Sequence, residues 1–292
     1  MKPSIVILTY NSESAIAETL RSVSTLSDDI HVVDSFSSDR TQEIARTFGA
    51  QVAEHAFQNY GEQRNWAISS LPMKYGWQLH LDADERLTPE LRKTILDLDE
   101  DAQASGFYLA RMMYFLGRPI RHGGLSPTWH LRLFRSGCGK CETRKYDQHF
   151  YLTSGSTAQL IGYMIDDVRM SLSEWTMRHN RWSDAEAEEQ SAKSTAGVVT
   201  ARMRGNPVER KRFLRGLYDK CPLFVRPFVL FFYRYVIRLG FLDGTSGFVF
   251  YVLQTFWFRF LVDSKLFERQ LTKRSTESVA AASTLLENQM PD

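Results

Sequence analysis

Apolar residues follow two different rhythms along this chain. Over the first hundred positions, short apolar runs alternate with stretches of helical spacing. SIVIL (Ser4–Leu8) is apolar without alternation, as expected of a strand buried on both faces. Ile16, Leu20 and Val23 then recur at three- and four-residue intervals, marking one face of a helix. DIHVV (Asp29–Val33) predicts a second strand, and Thr41–Phe48 a helix stopped by Gly49. Gln51–Ala53 starts a short third strand, Gln63–Leu71 predicts a helix, and Trp77–Leu81 a fourth strand. Strands and helices in this alternation predict βαβ units, and hence an α/β fold with a mostly parallel, Rossmann-like sheet and helices on both faces. In such a sheet ligands bind beyond the carboxyl ends of the strands, where Asn11, Asp34 and the acids 82–85 fall.

From Gly106 the rhythm changes. GFYLARMMYFLGRPI and TWHLRLFRS predict strands, with Gly123, Gly124 and Pro127 in the loop between them. Leu172–Glu189 predicts a helix rich in charge, and Pro207 marks a boundary before a basic, aromatic segment. These shifts divide the chain into a first unit, 1–200, with halves 1–105 and 106–200, a basic helical segment 201–275, and a tail 276–292.

Composition adds one asymmetry to this pattern. The 292 residues carry a net charge of only +2, but Ala201–Ser275 holds 15 Lys and Arg against 5 Asp and Glu, leaving the remainder net acidic. Three cysteines supply no disulfide framework and suit a reducing compartment. Cys138-Gly-Lys-Cys141 lacks the second C-x-x-C of a structural zinc site and reads as a loop with two thiols. The opening MKPSIVILTYN reads as a first strand rather than a signal peptide.

The chemistry concentrates in LHLDADERL (Leu79–Leu87), where a buried strand breaks into three acids. Helix capping does not account for them, because Thr88, Pro89 and Glu90 already provide a helix start. Arg86 alone cannot neutralise three carboxylates. Two acids one residue apart at a strand end suit Mg²⁺ or Mn²⁺, hard cations that prefer oxygen and are often shared with substrate phosphates. Asp34, at the tip of the second strand, is placed to accept from the N–H of a bound base, whereas Asp39 reads as the cap of the next helix. His80 reads as a packed histidine. Neither G-x-G-x-x-G nor G-x-x-x-x-G-K-[ST] occurs, so such a dinucleotide fold and a P-loop are both unsupported.

Taken together, SIVILTYN, VVDSFSSDRT, EQRNWAI and LHLDADERL resemble family 2 inverting glycosyltransferases of the GT-A fold. GRPIRHGG, LRLFRSG, DQHF and EWTMRHNRWSDAEA, with RLGFLDGTSGFVF further on, are similar to the subgroup acting on lipopolysaccharide core and exopolysaccharide. The resemblance implies that 1–105 binds a nucleotide-sugar, UDP-linked, and that 106–200 receives the acceptor. Thr9, Asn11 and Glu13 would wrap the nucleotide, Asp34 would hold the uracil, and Arg64 and Asn65 would lie by base and diphosphate. Asp84 would ligate the divalent cation, with Asp82 on the ribose or on the metal through water. A general base is expected well after the acids, and Asp147 is the choice within CETRKYDQHF, where a surface turn is the competing reading. Arg111, Arg118, Arg121 and His122 either hold an anionic acceptor group or form a solvated hairpin face. The segment from Val208 either lies in the interface of an anionic membrane or closes the first unit as a buried hairpin; no run reaches the roughly 18 apolar residues of a spanning helix. The membrane reading implies peripheral attachment at the cytoplasmic face of a bacterial inner membrane and a lipid-linked glycan as acceptor; no nucleic-acid recognition module surrounds the basic residues. A metal-dependent nucleotidyltransferase and a non-catalytic membrane adaptor are the rival readings.

Overall fold

The computed structural model describes residues 1–143, 147–191 and 199–287. Residues 144–146 of the stretch around Asp147, and the last five residues of the expected tail, lie outside them. The first half follows the predicted alternation closely: β1 (Ser4–Thr9), α1 (Ile16–Val23), β2 (Ile30–Asp34), α2 (Thr41–Thr47), β3 (Gln51–Glu54), α3 (Tyr60–Ser70) and β4 (Trp77–Asp82). All of β1 and β2 is buried, as the apolar run of β1 requires, and β2 takes the polar His31 and Asp34 inside with it. After β4 the chain makes a short return strand, β5 (Glu85–Leu87), and enters α4 (Pro89–Leu96). Thr88 caps α4 as its sequence indicated, accepting from the Leu91 N–H with Pro89 in the first turn.

The later strands are β6 (Gly106–Phe115), β7 (Arg118–Pro119), β8 (Thr128–Arg135), β9 (Gly139–Cys141), β10 (Phe150–Leu152) and β11 (Thr157–Val168). Among the described residues the main sheet has nine strands in the order β3-β2-β1-β4-β8-β6-β11-β5, with β7 on β6. Its β3-β2-β1-β4 half is parallel. Beyond β4 it is mixed, because β8 runs antiparallel to both β4 and β6, and β5 antiparallel to β11. The expectation of a mostly parallel sheet therefore holds for the first half and gives way to a mixed one where hairpin connections replace helical crossovers. α1, α2 and α4 pack Leu20, Ala45 and Leu91 on one face of the sheet, against Ile5, Ile7 and Leu79. On the other face, α3 packs Ala67 against Val6, Leu8 and Val33. Gly61 lets α3 cross the backbone of Glu142, which any β-carbon there would strike.

The remaining helices are α5 (Leu172–Ser191), α6 (Pro207–Asp219), α7 (Val225–Phe232), α8 (Gly244–Tyr251) and α9 (Phe258–Glu287). A π-helical stretch, Tyr233–Ile237, extends α7, and another, Val252–Trp257, joins α8 to α9. Part of this unit is not an appendage. Phe258, Val262 and Leu266 of α9 pack on Ala187 of α5, and Phe250 and Tyr251 of α8 pack on Phe115 and Trp175. Most arginines that interrupt the apolar stretches of this segment are bonded inside the protein. Arg226 meets buried Asp263 at 2.6 Å, and Arg259 meets Glu186 at 2.6 Å, while Arg238 is exposed. Their acidic partners lie tens of residues away in the chain, so local sequence could not reveal them.

Candidate active site

Strand register brings the acids to one edge. Thr9 of β1 lies opposite Asp34 of β2, and Leu8 opposite Asp82 of β4, so three strands end at one level. The return strand β5 pairs with β11 and sets Glu85 opposite Asp166. Like charges facing each other across a sheet need compensation, and two arginines supply part of it. Arg132 of β8 reaches Asp82 at 2.8 Å and Glu85 at 2.7 Å, while Arg111 of β6 reaches Asp166 at 3.2 Å. On the opposite face of β5, Arg86 bridges Glu18 (2.6 Å) and Asp167 (2.9 Å), locking the strand to α1.

The two acids of Asp82-Ala-Asp84 have different environments. Asp82 also receives Arg64 at 3.0 Å. Burial opposes its charge, yet Arg132 and Arg64 hold its carboxyl well below the usual range. Asp84 has no side-chain hydrogen bond or ion pair among the described residues, and burial, with the charges of Asp166, Asp82 and Glu85, pushes its carboxyl up to about 8. The Asp84 position therefore carries uncompensated negative potential. This donor set fits a hard divalent cation, since Mg²⁺ commonly takes one or two carboxylates and fills its shell with water and phosphate. Among the described residues, no group of three or more His, Cys, Asp or Glu could hold a metal by itself. The expected ligand pair narrows to Asp84, because two guanidinium groups engage Asp82.

The loops after β1 and β2 are fastened together. The Asn11 carboxamide oxygen accepts from the Ser38 N–H at 2.9 Å, and the Glu13 carboxylate from the Arg40 N–H at 3.1 Å. Asp39 accepts from the N–H groups of Glu13 and Thr41, so it ties these loops together as well as serving the start of α2. Asn11 and Phe36 adopt left-handed backbone, φ +45° and +61°. That geometry is uncommon for either residue and costly for Phe. Phe36 is 57% exposed and Tyr10 60%, which puts two bare aromatic rings on the loops that follow β1 and β2. The Thr9 hydroxyl is buried without a partner.

Several expected contacts are already taken within the protein. Asp34 is fully buried and accepts from the Ser37 N–H (2.7 Å), the Ser37 hydroxyl (2.5 Å) and the Gln42 amide (2.8 Å). Its carboxylate organises the loop carrying Phe36, and it could meet a base only if that loop rearranged. The Asn65 carboxamide exchanges two 2.8 Å hydrogen bonds with the backbone of Cys141, which fixes α3 to β9 and leaves Asn65 a structural residue. Arg64 is spent on Asp82 and lies over the Phe150 ring.

The cationic group expected at the acceptor side separates into two places. Arg111 belongs to the acid cluster through Asp166. Arg118 and Arg121 are exposed on and after β7, and His122 binds Asp243 at the start of α8 at 2.7 Å. Asp147 is a weak candidate for a base. Burial disfavours its charge, but Lys211 at 2.8 Å and His149 at 3.4 Å keep it ionised, well below the usual carboxylate range. A carboxylate held so far down has little affinity for an acceptor proton. Cys138, Cys141 and Cys221 are free thiols. His80 is buried and stacked on Phe134 at 5.0 Å, a packed residue as expected.

Three contributors escaped the sequence reading, Arg132, Asp166 and Arg178, and Glu85 was read as one of three acids without a role of its own. Arg178 of α5 lies over Trp182, has a buried Nε without a hydrogen-bond partner, and its charge works against the raised carboxyl of Asp84. It has no ion-pair partner among the described residues. The signal for Asp166 was present, since Leu160, Gly162, Met164 and Asp166 alternate inward along β11.

Asp84, with its uncompensated carboxylate, and the cationic Arg178 thus mark the carboxyl ends of this α/β sheet, where such folds place their ligands. Residues 4–156 match the family model for glycosyl transferase family 2, and the chain belongs to that family. An uncharacterized glycosyltransferase of Rickettsia typhi is 39% identical over 94 residues, spanning 32% of each chain. The match thus covers about a third of the length of that relative. The lipopolysaccharide core biosynthesis glycosyltransferase LpsC of Rhizobium meliloti is 21% identical over 280 residues, covering 92% of this chain and 93% of that one. Among solved structures, Staphylococcus aureus TarS in complex with UDP-GlcNAc is 14% identical, covers 92% of each chain and superposes with a TM-score of 0.46.

Proposed function

We propose that this protein transfers a sugar, with inversion, from a UDP-linked donor to a lipid-linked or lipopolysaccharide-type glycan, using Mg²⁺ or Mn²⁺. The observation that carries the reading is Asp84, whose carboxylate has no ion-pair partner among the described residues while Asp166, Asp82 and Glu85 raise it and Arg178 alone of the largest influences lowers it. A cation bound at Asp84 would act as a Lewis acid on the departing diphosphate. Arg178 would donate to diphosphate oxygens, where charge-assisted bonds are strong. The buried Thr9 hydroxyl is free to donate to the nucleotide, and the exposed rings of Tyr10 and Phe36 offer stacking faces for its base. Asp82, pinned by Arg64 and Arg132, would act as a fixed wall that keeps Asp84 in place rather than as a ligand. Full-length alignment with LpsC supports the glycan class of the acceptor.

Calorimetry of UDP binding with and without Mn²⁺, on wild type and Asp84→Asn, tests this reading. Binding that needs both metal and Asp84 is the expected result. Equal binding by the variant would place the donor elsewhere, and failure of the wild type to bind UDP in any condition would remove the UDP assignment.

A further inference from the structure

The helical unit after Phe224 buries one face and leaves a second apolar face open. Phe231 and Tyr235 point inward, onto Phe256, Phe248 and Tyr251. The other side is equally apolar. Val225, Phe228, Val229, Phe232 and Ile237 are each 54–59% exposed and follow helical spacing along α7 and its extension. Leu239, Phe241 and Leu242 continue this surface around a 71° bend between Val225–Ile237 and Gly240–Lys273. No single helix among the described residues is long and apolar enough to cross a membrane; by length and composition the bent pair passes only jointly.

Cations gather at the bend. Arg238 is exposed there with its guanidinium over Gly124, and Arg118 and Arg121 are exposed on the neighbouring loop. None of the three has an ion-pair partner among the described residues. The acid at the bend, Asp243, is buried and occupied by the N–H groups of Arg121 and His122 and the His122 ring.

We propose that this elbow docks on an anionic phospholipid surface, its apolar stripe in the headgroup–acyl boundary and Arg118, Arg121 and Arg238 on lipid phosphates. Apolar length, bend and unpaired arginines match an interfacial helix better than a spanning one. A second copy fits less well, because an isologous contact buries the same patch from both copies, and Asp243, the acid at this bend, is already occupied and leaves the arginines unmatched.

The elbow also carries a loop with it. Tyr251 donates to the His122 carbonyl at 2.6 Å, the Gly123 N–H to the Arg238 carbonyl at 2.9 Å, and Arg234 to the Gly123 carbonyl at 3.1 Å. Gly123 has φ +67°, and a β-carbon there would strike the Tyr251 ring, so this latch requires glycine. Docking would therefore hold the 121–124 loop at the lipid surface. Any role of that loop toward a lipid-linked acceptor rests on the proposed transfer reaction, whereas the docking does not.

Co-sedimentation of the full chain with phosphatidylglycerol-containing vesicles, at low and high salt, tests the docking without any donor. The expected result is binding to these vesicles that weakens with salt and is absent on pure phosphatidylcholine. Arg118→Gln, Arg121→Gln and Arg238→Gln combined should weaken it about a hundredfold. Val229→Ser with Phe232→Ser and Leu242→Ser should abolish it with the thermal midpoint kept or raised. A wild type that ignores anionic vesicles, or variants that bind as well as wild type, would overturn the proposal. A dimer in light scattering that the serine variant dissolves would overturn it in favour of self-association.

Discussion

At the scale of single residues, charge compensation separates groups that look alike in sequence. Asp82 and Asp84 are two residues apart, yet one is clamped by two arginines and the other has no ion-pair partner among the described residues. The same distinction ranks the cations. Arg64 is consumed, while Arg178 is open. Arg178→Ala is expected to weaken UDP binding about tenfold or more, the usual worth of a charged hydrogen bond, and to leave uridine binding unchanged. A titration of both ligands checks it, and equal losses for the two would point to a fold defect. Asp147 belongs with the consumed groups. Asp147→Asn should keep the transfer rate within about threefold of wild type, because a carboxylate stabilised by Lys211 and His149 is a poor proton acceptor. A large fall in kcat with unchanged KM would restore it as the base.

At the scale of elements, the legible features were those governed by neighbours in the chain. The Thr88 cap, the stop at Gly49 and the apolar run of β1 depend on residues a few positions apart. β5, β9 and β10 have three residues each and too little pattern to stand out. Helix α5 illustrates how an element gains a property from its packing. His179 stacks on Trp175 at 3.4 Å and meets Gln254 at 3.0 Å, and burial pushes it down to about 4. A histidine whose folded value lies below its free value of about 6.5 stabilises the fold fully above that value and loses the contribution as pH falls toward 4. The raised carboxyls of Asp84 and Glu85 act in the opposite direction, so the difference between two proteins is the useful measure. Between pH 6.5 and 4, wild type should lose on the order of 2 kcal/mol more stability than His179→Gln. Urea unfolding at several pH values would show parallel curves if this account were wrong.

At the scale of the whole molecule, buried ion pairs join the helical unit to itself and to α5. Asp263 is completely buried, accepts from Arg226 and from the Phe224 N–H, and holds the start of α7 against α9. Asp263→Ala strands the buried Arg226 charge and should cost about 3–5 kcal/mol in denaturant unfolding. Adding Arg226→Met should recover much of that loss, since a filled apolar site avoids the unpaired charge. If the double variant is no better than the single one, the cost comes from packing rather than from the stranded cation.

What the sequence by itself determined was the α/β order of the first half, the strand ends carrying Thr9, Asp34 and Asp82, and the family. The first two follow from periodicity or from residues adjacent in the chain, and the family from motifs that resemble those of its members. Only the tertiary structure decided which charges remain available. Arg132 reaches Asp82 across 50 positions and Asp263 meets Arg226 across 37. A carboxylate's freedom depends on partners that folding brings within about 4 Å, and on how much water burial removes from it. Chain position encodes neither quantity, so the roles of Asp84, Arg178 and the exposed elbow became visible only once the strands and helices were in place.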